Sequence, residues 1–241
     1  MLKIRKLDIC IQDKKIVSNI NLNVNLGEIH ALMGPNGSGK TSFALGLMGH
    51  PNYRVTRGSI FLDNKNILSL TPEKRAKLGL FVSYQTPPAF DGVSLGRYLF
   101  EAKKGLAGKK NIDIENFYSK LAMEIENLKL PESFLERPLN SEASGGERKK
   151  TEILSLINLK PKYVILDEID TGLDIDALKL VAKEIKKVSK TCGVIIITHY
   201  QRILKYVSPD FVHIMKKGRI VATGDYNLTD TVERRGYAVF N

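Results

Sequence analysis

Cysteine is nearly absent: only Cys10 and Cys192 occur, far apart and with no CxxC or histidine at ligand spacing. That argues against a disulfide framework and against a zinc site, and makes a reducing cytoplasm the expected compartment. Long apolar runs are missing too. Runs such as Val194 to Ile197 fall far short of the roughly 20 residues needed to cross a bilayer. The opening Leu2-Lys3-Ile4-Arg5-Lys6-Leu7 alternates like a strand and does not read as a signal peptide. Direct membrane insertion is therefore not expected, and any membrane role would need a separate subunit. Acidic residues are in deficit, with 26 Asp and Glu against 37 Lys and Arg, for a net charge of +11. Such a balance suits an anionic ligand, a nucleic acid, an acidic membrane surface or an acidic partner. The basic residues are scattered and not interleaved with aromatics, which disfavours nucleic acid. Internal repeats and low-complexity linkers are absent as well.

What remains is an ordinary globular composition, 43% hydrophobic and 26% charged over 241 residues. It is enough for one α/β folding unit with a helical excursion. Residues 2–11 and 16–25 alternate as two strands joined at Gln12-Asp13-Lys14-Lys15, so an antiparallel N-terminal β region is expected. Ile29 to Met33 reads as a short buried strand, followed by a glycine-rich loop and by helical spacing from Thr41 to Met48. Tyr163 to Leu166 and Val194 to Thr198 are compact runs suited to a parallel sheet covered on both faces. Between them Leu178, Val181, Ile185 and Val188 mark an amphipathic crossover helix. Pro87 to Leu139 lacks such strands and is expected to be helical, with Ile114, Phe117, Leu121 and Ile125 along one face. Phe211 to Met215 and Arg219 to Thr223 predict a terminal hairpin around Lys216-Lys217-Gly218, and 228–235 a last short helix.

Gly34-Pro35-Asn36-Gly37-Ser38-Gly39-Lys40-Thr41 carries the strongest chemistry, because it matches G-x-x-x-x-G-K-[ST] between a strand and a helix. Glycines let successive N–H groups converge on phosphates at a helix N-terminus. Lys40 would reach the β- and γ-phosphates, and Thr41 would ligate Mg²⁺. Tyr163 to Leu166 runs into Asp167 and Glu168, at the strand end where such sheets place ligands. Asp167 suits the magnesium shell and Glu168 the attacking water; taken alone, the pair reads equally as a solvated turn. Ser144-Gly145-Gly146-Glu147 opens a long helix, either as an anion site or as a plain capping box. His199 follows the strand ending at Thr198, placed for a γ-phosphate or for a structural role, while His30, His50 and His213 read as structural. Gln85, just after Phe81 to Tyr84, suits a metal ion or water, or is an ordinary surface glutamine.

In this order these segments resemble the ATP-binding-cassette (ABC) family over nearly the whole chain. The resemblance implies a P-loop NTPase core with a mixed sheet, spanning 1–241 as one domain, with a helical subdomain at about 87–150. It implies an ATPase using ATP and Mg²⁺, with Gly34 through Ser42 on the nucleotide. Thr41, Gln85 and Asp167 would serve the metal, Glu168 the water, and His199 would be the switch histidine. Thr171-Gly172-Leu173-Asp174 becomes the D-loop, and Ser144, Gly145 and Gly146 act in trans across an ATP-dependent head-to-tail homodimer.

Within the family the chain resembles the SufC-like ATPases of iron–sulfur cluster assembly. The resemblance rests on residues 49–56, Pro87-Pro88 to Gly92-Val93-Ser94, SGGERKK at 144–150, DEIDTGLDIDALK at 167–179 and ITHYQRIL at 197–204. It implies SufB- and SufD-like scaffold partners. Three departures from the broader family stand out. Ala143 and Glu147 bracket the signature where Leu and Gln are usual, Ile11 takes the place of an adenine-stacking aromatic, and Thr171-Gly172 replaces Ser-Ala. The alternative reading is the nucleotide-binding subunit of a membrane transporter.

Overall fold

The computed structural model describes residues 1–85, 90–108, 111–139 and 143–240. In chain order the elements are β1 (Leu2–Ile11), β2 (Lys14–Val24), β3 (Ile29–Met33), α1 (Lys40–Met48), β4 (Arg54–Leu62), β5 (Lys65–Asn66), α2 (Pro72–Lys77) and β6 (Leu80–Val82). Then come β7 (Phe90–Ser94), α3 (Leu95–Ala107), α4 (Ile114–Asn127), β8 (Pro138–Leu139), α5 (Gly145–Leu159), β9 (Tyr163–Asp167) and α6 (Ile175–Ser189). The chain continues through β10 (Gly193–Ile197), α7 (Arg202–Val207), β11 (Phe211–Lys216), β12 (Arg219–Gly224) and α8 (Asn227–Arg235).

Two compact units result, one formed by 1–85, 161–170 and 186–241, the other by 86–160 and 171–185. The first holds an antiparallel sheet in the order β2-β1-β4-β5 and a mixed sheet in the order β12-β11-β3-β10-β9-β6. In the second sheet β3, β6, β9, β10 and β11 are parallel, with β12 antiparallel at the edge. All five residues of β3, of β9 and of β10 are buried. That is why these strands read as continuous apolar runs while β1 and β2 alternate. Ile4, Leu7, Ile9, Val17, Ile20, Phe43, Leu47, Ile60, Ile165, Ile195 and Met215 share one core between the two sheets and α1.

The second unit departs from the sequence reading in two places. Within Pro87 to Leu139, expected to lack strands, β7 and β8 form a small antiparallel pair. Two backbone pairings suffice for it, and they leave no periodic apolar trace. On α4, Phe117, Leu121 and Ile125 are buried as expected, but Ile114 at the first turn is 55% exposed. The helix starts there, capped by the Asp113 side chain, before its apolar face reaches the core. Elements β4, β5, α2 and α7 carry no clear periodicity; the first half of β4 is largely exposed, and only Ile60 and Leu62 are buried.

His30 on β3 and His213 on β11 are structural, as their sequence context suggests. Their rings stack, with His30 Nδ1 and His213 Nε2 3.0 Å apart. His30 Nε2 meets Glu28 Oε2 at 3.1 Å, and His213 Nδ1 meets Thr223 Oγ1 at 2.9 Å. With both rings neutral, the carboxylate accepts from His30, His30 accepts from His213, and His213 accepts from the Thr223 hydroxyl. Burial pushes both imidazoles down, His213 from the ordinary 6.5 to about 4 with the neighbouring His30 adding to the shift. A folded-state value below the unfolded one means that the unfolded chain takes up the proton first. The associated stability is therefore intact above about 6.5 and lost as pH falls toward 4. His213 alone accounts for a loss on the order of 3 kcal/mol. Chemical denaturation between pH 7.5 and 4 should show this decline, and a His213→Gln variant should flatten it.

Candidate functional site: a phosphate loop facing a carboxylate cluster

Buried β3 delivers the chain to Gly34, where an added Cβ would lie 2.1 Å from the Met215 carbonyl oxygen and 2.8 Å from Ser38 Oγ. Only glycine fits this closely against β11. The loop closes through Ser38 N–H donating to the Pro35 carbonyl at 3.1 Å. It enters α1 through Gly39, whose φ of 104° lies in the left-handed region. The hairpin between β11 and β12 grips it from the other side: Gly218 N–H donates to the Ser38 carbonyl at 2.9 Å. Ser18 N–H in turn donates to the Gly218 carbonyl at 2.8 Å, tying the loop to β2.

Among the described residues no side chain caps the start of α1, and no acidic residue sits in its first turn. The positive end of the helix dipole is therefore left for an external anion. Ser38 Oγ is buried without a hydrogen-bond partner among the described residues. Lys40 is 6% exposed, and its Nζ donates to the carbonyls of Gly34 at 2.8 Å and Pro35 at 3.0 Å. Burial pushes this ammonium down from the ordinary lysine value, and the charges of Glu168 and Asp167 oppose the shift. Asn36 and Gly37 are exposed, and Thr41 and Ser42 are half-buried at the helix start. An uncapped helix end, an orphaned hydroxyl and a buried ammonium fit a polyphosphate. The oxygen donors of Thr41 and Asp167 are of the type that Mg²⁺ takes.

Adjacent in the sheet, β6, β9 and β10 bring their carboxyl ends together beside this loop. Asp167, 2% exposed, closes β9, and its N–H donates to Ser83 Oγ at 2.9 Å. Glu168 turns the chain with φ of 51°, its N–H donating to the Ile197 carbonyl at 2.9 Å. Both oxygens of its carboxylate are engaged: Gln85 Nε2 donates to Oε2 at 2.6 Å, and His199 Nδ1 lies 3.2 Å from Oε1. Thus Gln85, Glu168 and His199, separated by up to 114 positions (199 − 85) in sequence, form one hydrogen-bonded chain.

Three residues of this cluster escape a motif-based reading. Asp170 is 8% exposed; its Oδ2 accepts from Thr198 Oγ1 at 2.9 Å, while Oδ1 is buried without a partner among the described residues. Burial pushes its carboxyl up, opposed by the Thr198 bond and the charge of His199. Thr198 also accepts from Tyr200 N–H at 2.9 Å and so shapes the turn that carries His199. Ser83 is 3% exposed beneath Asp167. Only a third carboxylate within three residues of Asp167 hinted at Asp170; Ser83 and Thr198 have no local signature.

Ser144, Gly145 and Gly146 lie in the second unit, as does the segment 171–174. Ser144 caps α5: its Oγ accepts from Glu147 N–H at 3.3 Å, and Glu147 Oε2 accepts from Ser144 N–H at 2.8 Å. The capping-box reading of this motif is therefore realised. Among the described residues, a Cβ on Gly145 would meet nothing within 4 Å. Ile11 ends β1 half-buried. Pro87 and Pro88 lie outside the described residues.

The model of one protein family, the ABC transporter family, matches residues 17–171, from β2 through the phosphate loop to the end of the carboxylate turn. The chain belongs to that family. This cassette is an ATPase that takes ATP with Mg²⁺ and yields ADP and phosphate. It is 45% identical over 240 residues to a Streptococcus pyogenes serotype M3 protein named as a probable ABC transporter ATP-binding protein, covering 99% of this chain and 94% of that one. It is 42% identical over 245 residues to "Probable ATP-dependent transporter ycf16" of Antithamnion sp., covering 100% of the cassette and 98% of the relative. Among solved structures, a dimeric ATP-binding cassette in a post-hydrolysis state with ADP and Pi superposes with a TM-score of 0.79. It has 18% identity and covers 93% of this chain and 98% of that one. The α/β fold with a mixed sheet and an antiparallel N-terminal region is thus that of ABC cassettes.

Proposed function

We propose that this cassette powers a cytoplasmic iron–sulfur cluster assembly scaffold of the SufB–SufD type, using ATP to close a homodimer and so rearrange the attached subunits. The supporting observation is a set of segments whose particular wording in and around the ATPase motifs resembles the SufC-like ATPases: residues 49–56, SGGERKK at 144–150, DEIDTGLDIDALK at 167–179 and ITHYQRIL at 197–204. The poor cysteine supply, two buried thiols, agrees with an engine that carries no cluster itself.

In this reading the phosphate-loop N–H groups and Lys40 hold the β- and γ-phosphates, with Gly34 through Ser42 as the cradle. Thr41, Gln85 and Asp167 would hold Mg²⁺, which when bound would supply positive charge against that developing on the phosphates. Glu168 takes the proton of the attacking water. Gln85 and His199 fix the direction of its carboxylate from opposite sides, and either can exchange that bond for one to water or phosphate. Ser144, Gly145 and Gly146 complete the site of a second copy. ATP shifts the population toward the closed dimer because its γ-phosphate is contacted from both subunits only there. With a net charge of +11, two copies repel each other until the anionic nucleotide intervenes.

A second reading, the nucleotide-binding subunit of a membrane transporter, is favoured by the names of the relatives just described. It uses the same residues. Affinity purification of the tagged protein from its own cells separates the two: co-purifying SufB- or SufD-like proteins support the scaffold reading, and integral membrane proteins overturn it. Light scattering at low and moderate salt tests the dimer. A monomer that dimerises with MgATP is expected, and equal dimerisation without nucleotide contradicts it.

A further inference from the structure

In a parallel sheet each strand alternately gives and receives main-chain hydrogen bonds along its neighbour. Between β6 and β9 this ladder is regular up to its last step. Tyr163 N–H donates to the Gly79 carbonyl at 2.9 Å, Val82 pairs with Ile165, and Ser83 N–H donates to the Ile165 carbonyl at 2.8 Å. The next donor facing β6 is Asp167 N–H, and the regular acceptor would be the Ser83 carbonyl. Instead the Ser83 hydroxyl takes that N–H, at 2.9 Å.

A side chain thereby finishes the ladder, and the β6 backbone is released one residue early. Two residues later the chain presents Gln85, whose Nε2 reaches Glu168 Oε2 at 2.6 Å. The Asp167 N–H is meanwhile held by the Ser83 hydroxyl. Ser83 is 3% exposed and Asp167 2% exposed, so no water replaces this bond without rearrangement. Alanine at 83 leaves two outcomes. Either the buried Asp167 N–H loses its acceptor, or the 83–85 backbone swings back to supply its carbonyl and withdraws Gln85 from Glu168.

We infer that Ser83 is a positioning residue for ATP hydrolysis: its hydroxyl holds the Asp167 backbone and lets the chain depart toward Gln85, setting the metal-facing carboxylate and the glutamine in register. The inference rests on the reading of Asp167 and Gln85 as metal-side groups. It predicts that Ser83→Ala acts on the magnesium step and not on nucleotide affinity as such.

The experiment is ATPase activity as a function of Mg²⁺ concentration for the parent, Ser83→Ala, Ser83→Thr and Asp167→Asn, with binding of a fluorescent ATP analogue in EDTA alongside. Ser83→Ala is expected to raise the Mg²⁺ needed for half-maximal activity roughly tenfold and to lower kcat, with EDTA binding within about twofold of the parent. Ser83→Thr, which keeps the hydroxyl, should restore most of the shift. An unchanged Mg²⁺ requirement in Ser83→Ala, with Asp167→Asn shifted, overturns the inference alone. An unchanged requirement in Asp167→Asn overturns the underlying site reading. Should Ser83→Ala be too unstable to assay, Ser83→Cys, close in size with a weaker acceptor, carries the same readout, and a parental Mg²⁺ requirement there also overturns the inference.

Discussion

Replacing Glu168 by glutamine is expected to lower the rate of phosphate release by roughly 10²–10⁴-fold and to leave ATP affinity within a few-fold of the parent. The amide is nearly isosteric with the carboxylate but cannot take a proton from water. Its oxygen still accepts from Gln85 or from His199, and its NH₂ can donate to His199 in the other tautomer, so both contacts seen at 2.6 Å and 3.2 Å have neutral substitutes. Binding energy would thus be kept while the chemical step is lost, and the closed dimer is expected to accumulate. Steady-state phosphate release and light scattering with MgATP test both halves. Turnover at the parental rate would remove Glu168 as the base.

The second large effect belongs to Lys40→Met. This ammonium sits 6% exposed at the head of α1, held by two loop carbonyls at 2.8 and 3.0 Å. Those bonds hold the charge in the position a phosphate would claim, and burial already makes the charged form costly. Removing it deletes a charge-assisted contact to phosphate, so ATP affinity is expected to fall on the order of 10²–10³-fold. The fold should tolerate the change, because Met fills the same channel without a charge to desolvate. Thermal unfolding distinguishes the two effects: the apo midpoint stays within a few degrees of the parent while the increment from added ATP disappears. A retained ATP increment would refute the role given to Lys40.

The two substitutions draw on different parts of the same construction. Lys40 is legible because the loop is local: its glycines, lysine and threonine are consecutive, and the strand before and helix after carry their own periodicities. The geometry of Glu168 is not local. Its neighbours Gln85 and His199 come from the ends of β6 and β10, and they meet only because β10, β9 and β6 are adjacent in the sheet. The order of motifs suggested each residue as a participant, but no spacing foretold that Gln85 and His199 hold the two oxygens of one carboxylate. Sequence pattern also missed the small β7–β8 pair and β4, whose pairings are made by backbone groups with little buried apolar surface to mark them.

Asp170 and Ser83 show the same division from the other side. Neither is given a role by the motifs, and each becomes informative only through burial and a partner distant in sequence: Thr198 for Asp170, Asp167 for Ser83. Histidines 30 and 213, 183 positions apart, likewise become a single hydrogen-bonded relay only when β3 and β11 pair.

From sequence alone came the phosphate loop, the strand ending in Asp167 and Glu168 and the α/β class, because each is written in consecutive residues whose backbone conformation and side chains act together; the ATPase chemistry came from the family resemblance that those segments carry. Tertiary structure alone decided which side chain holds which atom: the grip of Gly218 on the loop, the clasp of Gln85 and His199 on Glu168, and the hydroxyl that ends the β6 ladder. Such contacts depend on strand order and on where each backbone leaves its sheet, and these are set by the packing of the whole core rather than by any local run of residues.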